Sequence, residues 1–158
     1  MTPVVPPPHL RSVLRSLATG VTVVTTDTPE GPAGVSINSF TSVSLEPPLV
    51  LFCISRTSRT WPAIEAAGHF AVSILGSGQE RIARQFCATG VDRFAGQRLT
   101  TAWTGAPVLA DAAAYLDCTL ARVVDAGDHH IVIGEVVSAG ALADQRPLVF
   151  AHSRYGTC

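Results

Sequence analysis

Val21-Thr22-Val23-Val24-Thr25-Thr26 is β-branched at every position, and such side chains suit a pleated strand better than a helical turn because their χ1 freedom is already restricted. The run reads as a strand covered on both faces. Two further runs of strand composition follow, residues 33–39 and 49–55, set off by the turn signals Pro29-Glu30-Gly31-Pro32 and Glu46-Pro47-Pro48. Upstream, Leu10, Val13, Leu14 and Leu17 recur at helical spacing with Arg11 and Arg15 on another face, which predicts a short amphipathic helix over residues 9–18 stopped by Gly20. The proline-rich residues 1–8 read as a flexible tail, and 9–158 as one domain.

Downstream, residues 60–67 read as a helix with Thr60 as N-cap, Pro62 in its first turn and Gly68 closing it. A strand is expected at 69–75, and a second helix at 78–88, where Ile82, Ala83 and Phe86 share a face. Residues 91–113 are irregular and predict a long ordered loop. Strands are expected again at 115–124, 130–139 and 147–151, the first two joined by Asp125-Ala126-Gly127-Asp128. Six or more strands, short turns and few helices make a mainly β fold, an antiparallel barrel with a few short helices.

Composition excludes several classes. At 158 residues the chain has room for one ordinary domain. Its 47% hydrophobic content is spread over short runs, none near the ~20 residues of a membrane-spanning helix. A formal net charge of -1 offers no clustered positive charge for nucleic acid. All eleven basic side chains other than histidine are arginine, so a lysine Schiff base or P-loop lysine is ruled out. Cys53, Cys87, Cys118 and Cys158 form no C-x-x-C pair, so reduced thiols are expected, with Cys53 and Cys118 buried and inert. With no secretory signal in the N-terminal residues, a cytoplasmic protein is expected.

Familiar motifs fail in turn. Gly76-Ser77-Gly78 lacks the third glycine and the acidic partner of a dinucleotide fingerprint. There is no G-x-S-x-G elbow and no H-E-x-x-H helix. His129 and His130 are adjacent, so on a strand they point to opposite faces, and no metal site is expected.

The densest polar chemistry lies in two places. Residues 34–44 are a strand and its exit rich in hydroxyls, and Ser55-Arg56-Thr57-Ser58-Arg59-Thr60 runs from a strand into a helix start. Small polar side chains let backbone N–H groups approach a ligand, and the second segment suits phosphate. Each segment alone also fits an ordinary turn and cap.

In order along the chain, residues 34–44, Glu46-Pro47-Pro48-Leu49-Val50, the Ser/Thr/Arg run, Asp92-Arg93-Phe94, Gly127-Asp128-His129 leading to Gly134-Glu135-Val136, and Arg154-Tyr155-Gly156 resemble the flavin reductase-like, split-barrel flavin-binding family. The resemblance implies a homodimer of split β-barrels of Greek-key type, with FMN or FAD near the subunit interface. By that resemblance Ser36, Asn38, Ser39, Cys53, Ile54, Ser55, Ser58 and Thr60 contact flavin, Cys53 and Ile54 through their backbone, and Arg93 is a candidate for the phosphate or adenylate end. His129 corresponds to the histidine that contacts the nicotinamide nucleotide. Arg154 either pairs with a phosphate of NADH or NADPH or solvates the surface, and Tyr155 either covers the nicotinamide or packs at a strand edge. Asp92 and Arg93 also fit a local ion pair; Trp103 fits core or interface packing better than a lid. Ser73 stands where relatives often have Asn.

The implied activity is transfer of hydride from NADH or NADPH to flavin, with reduced flavin diffusing to a partner monooxygenase or halogenase. Two rivals remain: a flavoprotein that keeps its flavin and acts on another substrate, and a noncatalytic flavin-binding module. FMN against FAD, NADH against NADPH and the partner's identity stay open.

Overall fold

The computed structural model describes residues 1–158. It begins with α1 (Pro7–Leu14) and the two-residue strand β1 (Thr19–Gly20). The helix starts inside the expected tail because two prolines are tolerated in a first turn, where their missing N–H groups have no partner to lose. It ends at Leu14, so Gly20 is part of β1 rather than a helix stop, and none of its residues is buried.

The β-branched run lies in β2 (Thr22–Thr28), where Thr22 to Thr26 are all buried. Buried threonines need partners. Thr22 Oγ1 donates to the Ile37 carbonyl at 2.8 Å, Thr26 Oγ1 to that of His69 at 2.9 Å, and Thr25 Oγ1 to that of Pro107. The chain continues through β3 (Gly31–Ile37), β4 (Thr41–Leu45), β5 (Pro48–Ser55), α2 (Trp61–Ala67), β6 (His69–Ile74) and α3 (Glu80–Cys87). The irregular 91–113 segment contains a small hairpin, β7 (Leu99–Thr101) and β8 (Pro107–Leu109). A long hairpin, β9 (Ala114–Ala126) with β10 (His129–Ala141), turns at Gly127 with φ 63°, and a short one, β11 (Leu148–Ala151) with β12 (Arg154–Thr157), ends the chain.

Seven strands form one antiparallel sheet in the order β3-β2-β6-β9-β10-β5-β4. It curls until β3 and β5 approach each other, and no ladder joins them. The result is the expected split barrel, open along one seam. Phe52, Phe70, Val72, Cys118 and Val132 fill its interior. Gly134 is required there, since a Cβ at that position would collide with the Phe70 ring and meet Cys118 Cβ at 3.1 Å. A second cluster, including Val23, Leu75, Phe86, Leu109 and Leu148, packs α3 and β11 against the sheet's other side.

Several local expectations change. Thr60 is not a side-chain cap: its backbone is already helical, and Oγ1 donates to the Gly34 carbonyl at 3.2 Å instead. Gly68 does close α2, with φ 70°. Cys118 is buried but Cys53 is only half-buried. Trp103 is 75% exposed at the tip of the β7–β8 hairpin, so it packs in no core of this chain. Asp92 makes no pair with Arg93; its carboxylate accepts the Phe94 N–H at 3.0 Å.

Candidate functional site

The seam is open because β4 stops short. It pairs with β5 only from Leu45↔Pro48 to Thr41↔Leu51, leaving the end of β5 without a strand on that side. Ser39 takes the place of one pair: its Oγ accepts the Cys53 N–H at 2.9 Å and donates to the Cys53 carbonyl at 3.0 Å. Backbone groups alternate sides along an antiparallel strand, so Cys53 and Ser55 both face the open edge while Ile54 faces β10. The Cys53 N–H is therefore occupied, and the Ser55 N–H is the next one aimed into the seam.

Beyond Ser55 the hydroxyls knit a tight turn. Ser55 Oγ accepts the Thr57 N–H at 3.2 Å, the Ser58 N–H donates to the Ser55 carbonyl at 3.0 Å, and Ser58 Oγ accepts the Thr60 N–H at 3.2 Å. The Arg56 N–H donates to the Asp128 carbonyl at 3.1 Å and its guanidinium pairs with Asp125 at 3.0 Å. These bonds hold the β9–β10 turn against the end of β5, and the register sets His129 opposite Ser55. His129 and His130 diverge as expected: His129 Nδ1 lies 2.7 Å from Asp128 Oδ1, whereas His130 reaches Asp125 and packs against Trp61. The Asp128 carboxyl is held below the usual carboxylate range, first by its hydrogen bond from His129, then by that ring's charge, with a small contribution from Arg11.

Ser36, Asn38, Ser39, Cys53, Ile54, Ser55, Ser58 and His129 all line one cleft of about 310 Å³. Eight residues from three separated segments thus border the seam. Ser36 and Asn38 also border a recess of about 150 Å³ that contains Tyr155, Phe150 and Cys87. There Tyr155 packs on Phe150 with the rings tilted at 57° and carries the Arg84 guanidinium 5.0 Å over its ring; burial leads the causes that raise its hydroxyl above the ordinary range. Thr60 and Arg93 do not join the seam. They border a neighbouring cleft of about 320 Å³ with Arg59, and Arg93 is committed to the carbonyls of Gly34 at 2.8 Å and Ala88 at 3.0 Å. Arg154 is exposed on β12. Ser73 is buried and its Oγ accepts the Leu109 N–H at 3.1 Å, a bond that fastens the β7–β8 hairpin.

The family model described as the flavin reductase like domain matches residues 14–158. The chain belongs to this family. The reductase subunit HsaB of a flavin-dependent monooxygenase from Rhodococcus jostii is 42% identical over 149 residues, covering 94% of this chain and 76% of that protein. The NADH-dependent FMN reductase SmoA of Agrobacterium fabrum is 42% identical, covering 92% and 83%. Among solved structures, the NADH:FAD oxidoreductase SgcE6 of Streptomyces globisporus, in complex with NAD and FAD fragments, superposes with a TM-score of 0.91 at 38% identity, covering 99% of this chain and 97% of that one.

This flavin reductase like chain also gathers basic residues beside the seam. Arg59, in the hydroxyl-rich segment, borders the same neighbouring cleft as Thr60 and Arg93. Arg11, Arg15, His152 and Ser153 line a larger cleft of about 510 Å³ that shares Asn38 and Ser39 with the seam. Only helical spacing marked the first two, as the polar face of α1. No helix is long and apolar enough to cross a membrane.

Proposed function

We propose that this chain reduces FMN or FAD with NADH and releases the reduced flavin to a separate monooxygenase or halogenase. The observation that carries this reading is the convergence of Ser36, Asn38, Ser39, Ser55, Ser58 and His129 on one seam cleft. Its volume of about 310 Å³ suits a planar ring system. Its walls are small hydroxyl side chains and a backbone N–H rather than bulky groups, so a tricyclic ring meets donors without a steric barrier. Among the relatives named above, SmoA is an NADH-dependent FMN reductase, SgcE6 an NADH:FAD oxidoreductase, and HsaB the reductase subunit of a flavin-dependent monooxygenase.

Flavin supplies the chemistry, accepting hydride at its ring, and the protein's work is positioning and charge stabilisation. The Ser55 N–H would donate to a ring seated in the seam and offset the negative charge that builds on it. Ser39 holds the β5 edge rigid by satisfying Cys53. Asn38 and Ser36 bound the opposite side, and Ser58, with Arg59 and Arg93 in the next cleft, lies on the path of the flavin's phosphate tail. Because the Asp128 carboxylate can only accept, His129 Nδ1 must donate to it, leaving Nε2 to face the nicotinamide nucleotide. Tyr155 borders the recess beside the ring, where it limits the space open to the nicotinamide.

The chain acts as a homodimer in the cytoplasm. Leu10 and Val13 on α1, together with Val43 and Leu45 on β4, present apolar side chains to solvent that a second copy would cover. Four free thiols suit a reducing compartment. A steady-state assay of the pure protein with NADH and NADPH crossed against FMN, FAD and riboflavin tests the reading. Turnover of added flavin with NADH supports it; a stoichiometric yellow protein that never turns over added flavin contradicts it.

A further inference from the structure

The cleft between α1 and the β11–β12 turn encloses about 510 Å³, more than the seam cleft, and the flavin ring does not need it. It opens onto the seam, because Asn38 and Ser39 belong to both. Its outer wall carries two guanidiniums, Arg11 and Arg15, and the arginine ion pairs of the structure involve Arg56, Arg84 and Arg98 instead. Its far wall is a two-residue hairpin turn in which His152 and Ser153 have φ 50° and 60°. Such turns ordinarily use Asn-Gly, since left-handed backbone is unfavourable for residues with a Cβ. Strain of this kind concentrates where the side chains are needed for a ligand. The His152 N–H donates to the Arg15 carbonyl at 2.7 Å, so helix and turn are joined and the cleft is held open at a fixed width.

We propose that this cleft binds the diphosphate of the nicotinamide dinucleotide, with Arg11 and Arg15 as its counter-charges and His152 and Ser153 as neutral donors. The inference rests on the flavin reductase reading. A nicotinamide stacked on flavin must leave the rest of its dinucleotide in a compartment continuous with the seam. The recess at Tyr155 is too small and apolar for two phosphates, whereas this cleft offers volume, an apolar patch from Leu14 and Leu17, and two fork-shaped cations suited to phosphate oxygens. FAD carries a diphosphate as well. With its ring in the seam, however, its tail would leave past Ser58 towards Arg59 and Arg93, which border a different cleft. Arg11 adds the last of the influences that lower the Asp128 carboxyl, and that carboxylate is already bonded to His129.

The test uses the full chain with Arg11→Ala, Arg15→Ala, the double variant and Arg15→Lys. The expected result is a KM for NADH raised about tenfold or more in the double variant, since loss of charge-assisted bonds is commonly worth a factor of ten. kcat and the KM values for FMN and FAD should stay near wild type, and Arg15→Lys should recover part of the loss. Calorimetric titration with NAD⁺ should show the same weakening and a shallower dependence on salt. Unchanged NAD⁺ affinity and NADH KM overturn the proposal, as does a rise in the KM for FAD alone, which would give the diphosphate to the flavin, or loss of the dimer in place of any binding defect. If the wild-type chain reduces no flavin, the underlying reading fails, and the NAD⁺ titration still decides whether the arginines bind the nucleotide.

Discussion

Replacing Ser39 by Ala removes one hydroxyl and two hydrogen bonds, the reciprocal pair at 2.9 and 3.0 Å that closes the open edge of β5 on Cys53. Each such bond contributes about 0.5–1.5 kcal/mol net, and an unsatisfied buried backbone group costs somewhat more. Cys53 is only half-buried, so water recovers part of the loss, and a cost of about 1–2 kcal/mol follows. For a domain of this size that lowers Tm by about 2–8 °C. The functional effect should be larger than the stability effect suggests, because the freed end of β5 carries the Ser55 N–H. Flavin affinity, measured by quenching of flavin fluorescence on titration, should weaken about tenfold, and calorimetry should record the Tm. A variant with wild-type Tm and wild-type flavin affinity would refute the claim that Ser39 stands in for a missing strand. A lower Tm with unchanged affinity would refute the role given to Ser55.

Other consequences are equally direct. Gly134→Ala forces a methyl into the Phe70 ring, and overpacking of this kind costs about 1–3 kcal/mol; a urea midpoint equal to wild type would show that the barrel interior has room there. His129→Ala should lower kcat/KM for NADH about tenfold, the usual scale for one positioned polar contact, while flavin affinity stays within about twofold; wild-type kinetics would remove His129 from the site. Burial, reinforced by the Asp117 carboxylate, pushes the Cys118 thiol from 9.0 up to about 12. The folded state therefore keeps a proton that the unfolded chain releases, so this contribution is whole below pH ~9 and is lost as pH rises towards ~12, at up to about 1.4 kcal/mol per unit. Urea midpoints across that range should fall more steeply for wild type than for Cys118→Ala, and parallel slopes would contradict the assignment.

What the sequence revealed follows from where each signal came from. The β2 run announced itself because β-branched residues at every position leave little choice but a strand, and burial on both faces followed. Strand β4 passed unseen because four of its five residues are exposed and no alternation marks them, and β12 because its turn uses His152 and Ser153, which advertise no reversal. Thr60 looked like a cap from local rules, yet the Gly34 carbonyl competes for its hydroxyl from across the fold. Arg93 likewise read as a phosphate contact or the partner of Asp92, because nothing near it in sequence points to the Gly34 and Ala88 carbonyls to which it donates. The seam itself was legible as two hydroxyl-rich segments, because close approach to a ligand needs small polar side chains. The α1 cleft was not, since nothing in residues 9–18 says that their arginines meet the last hairpin.

The most direct measurement is a crystal structure of the chain grown with FMN. The isoalloxazine should lie in the seam between the ends of β3 and β5, with the Ser55 N–H donating to the ring and the phosphate beyond Ser58. A ring bound elsewhere, or a seam filled by the chain's own side chains, would contradict the account.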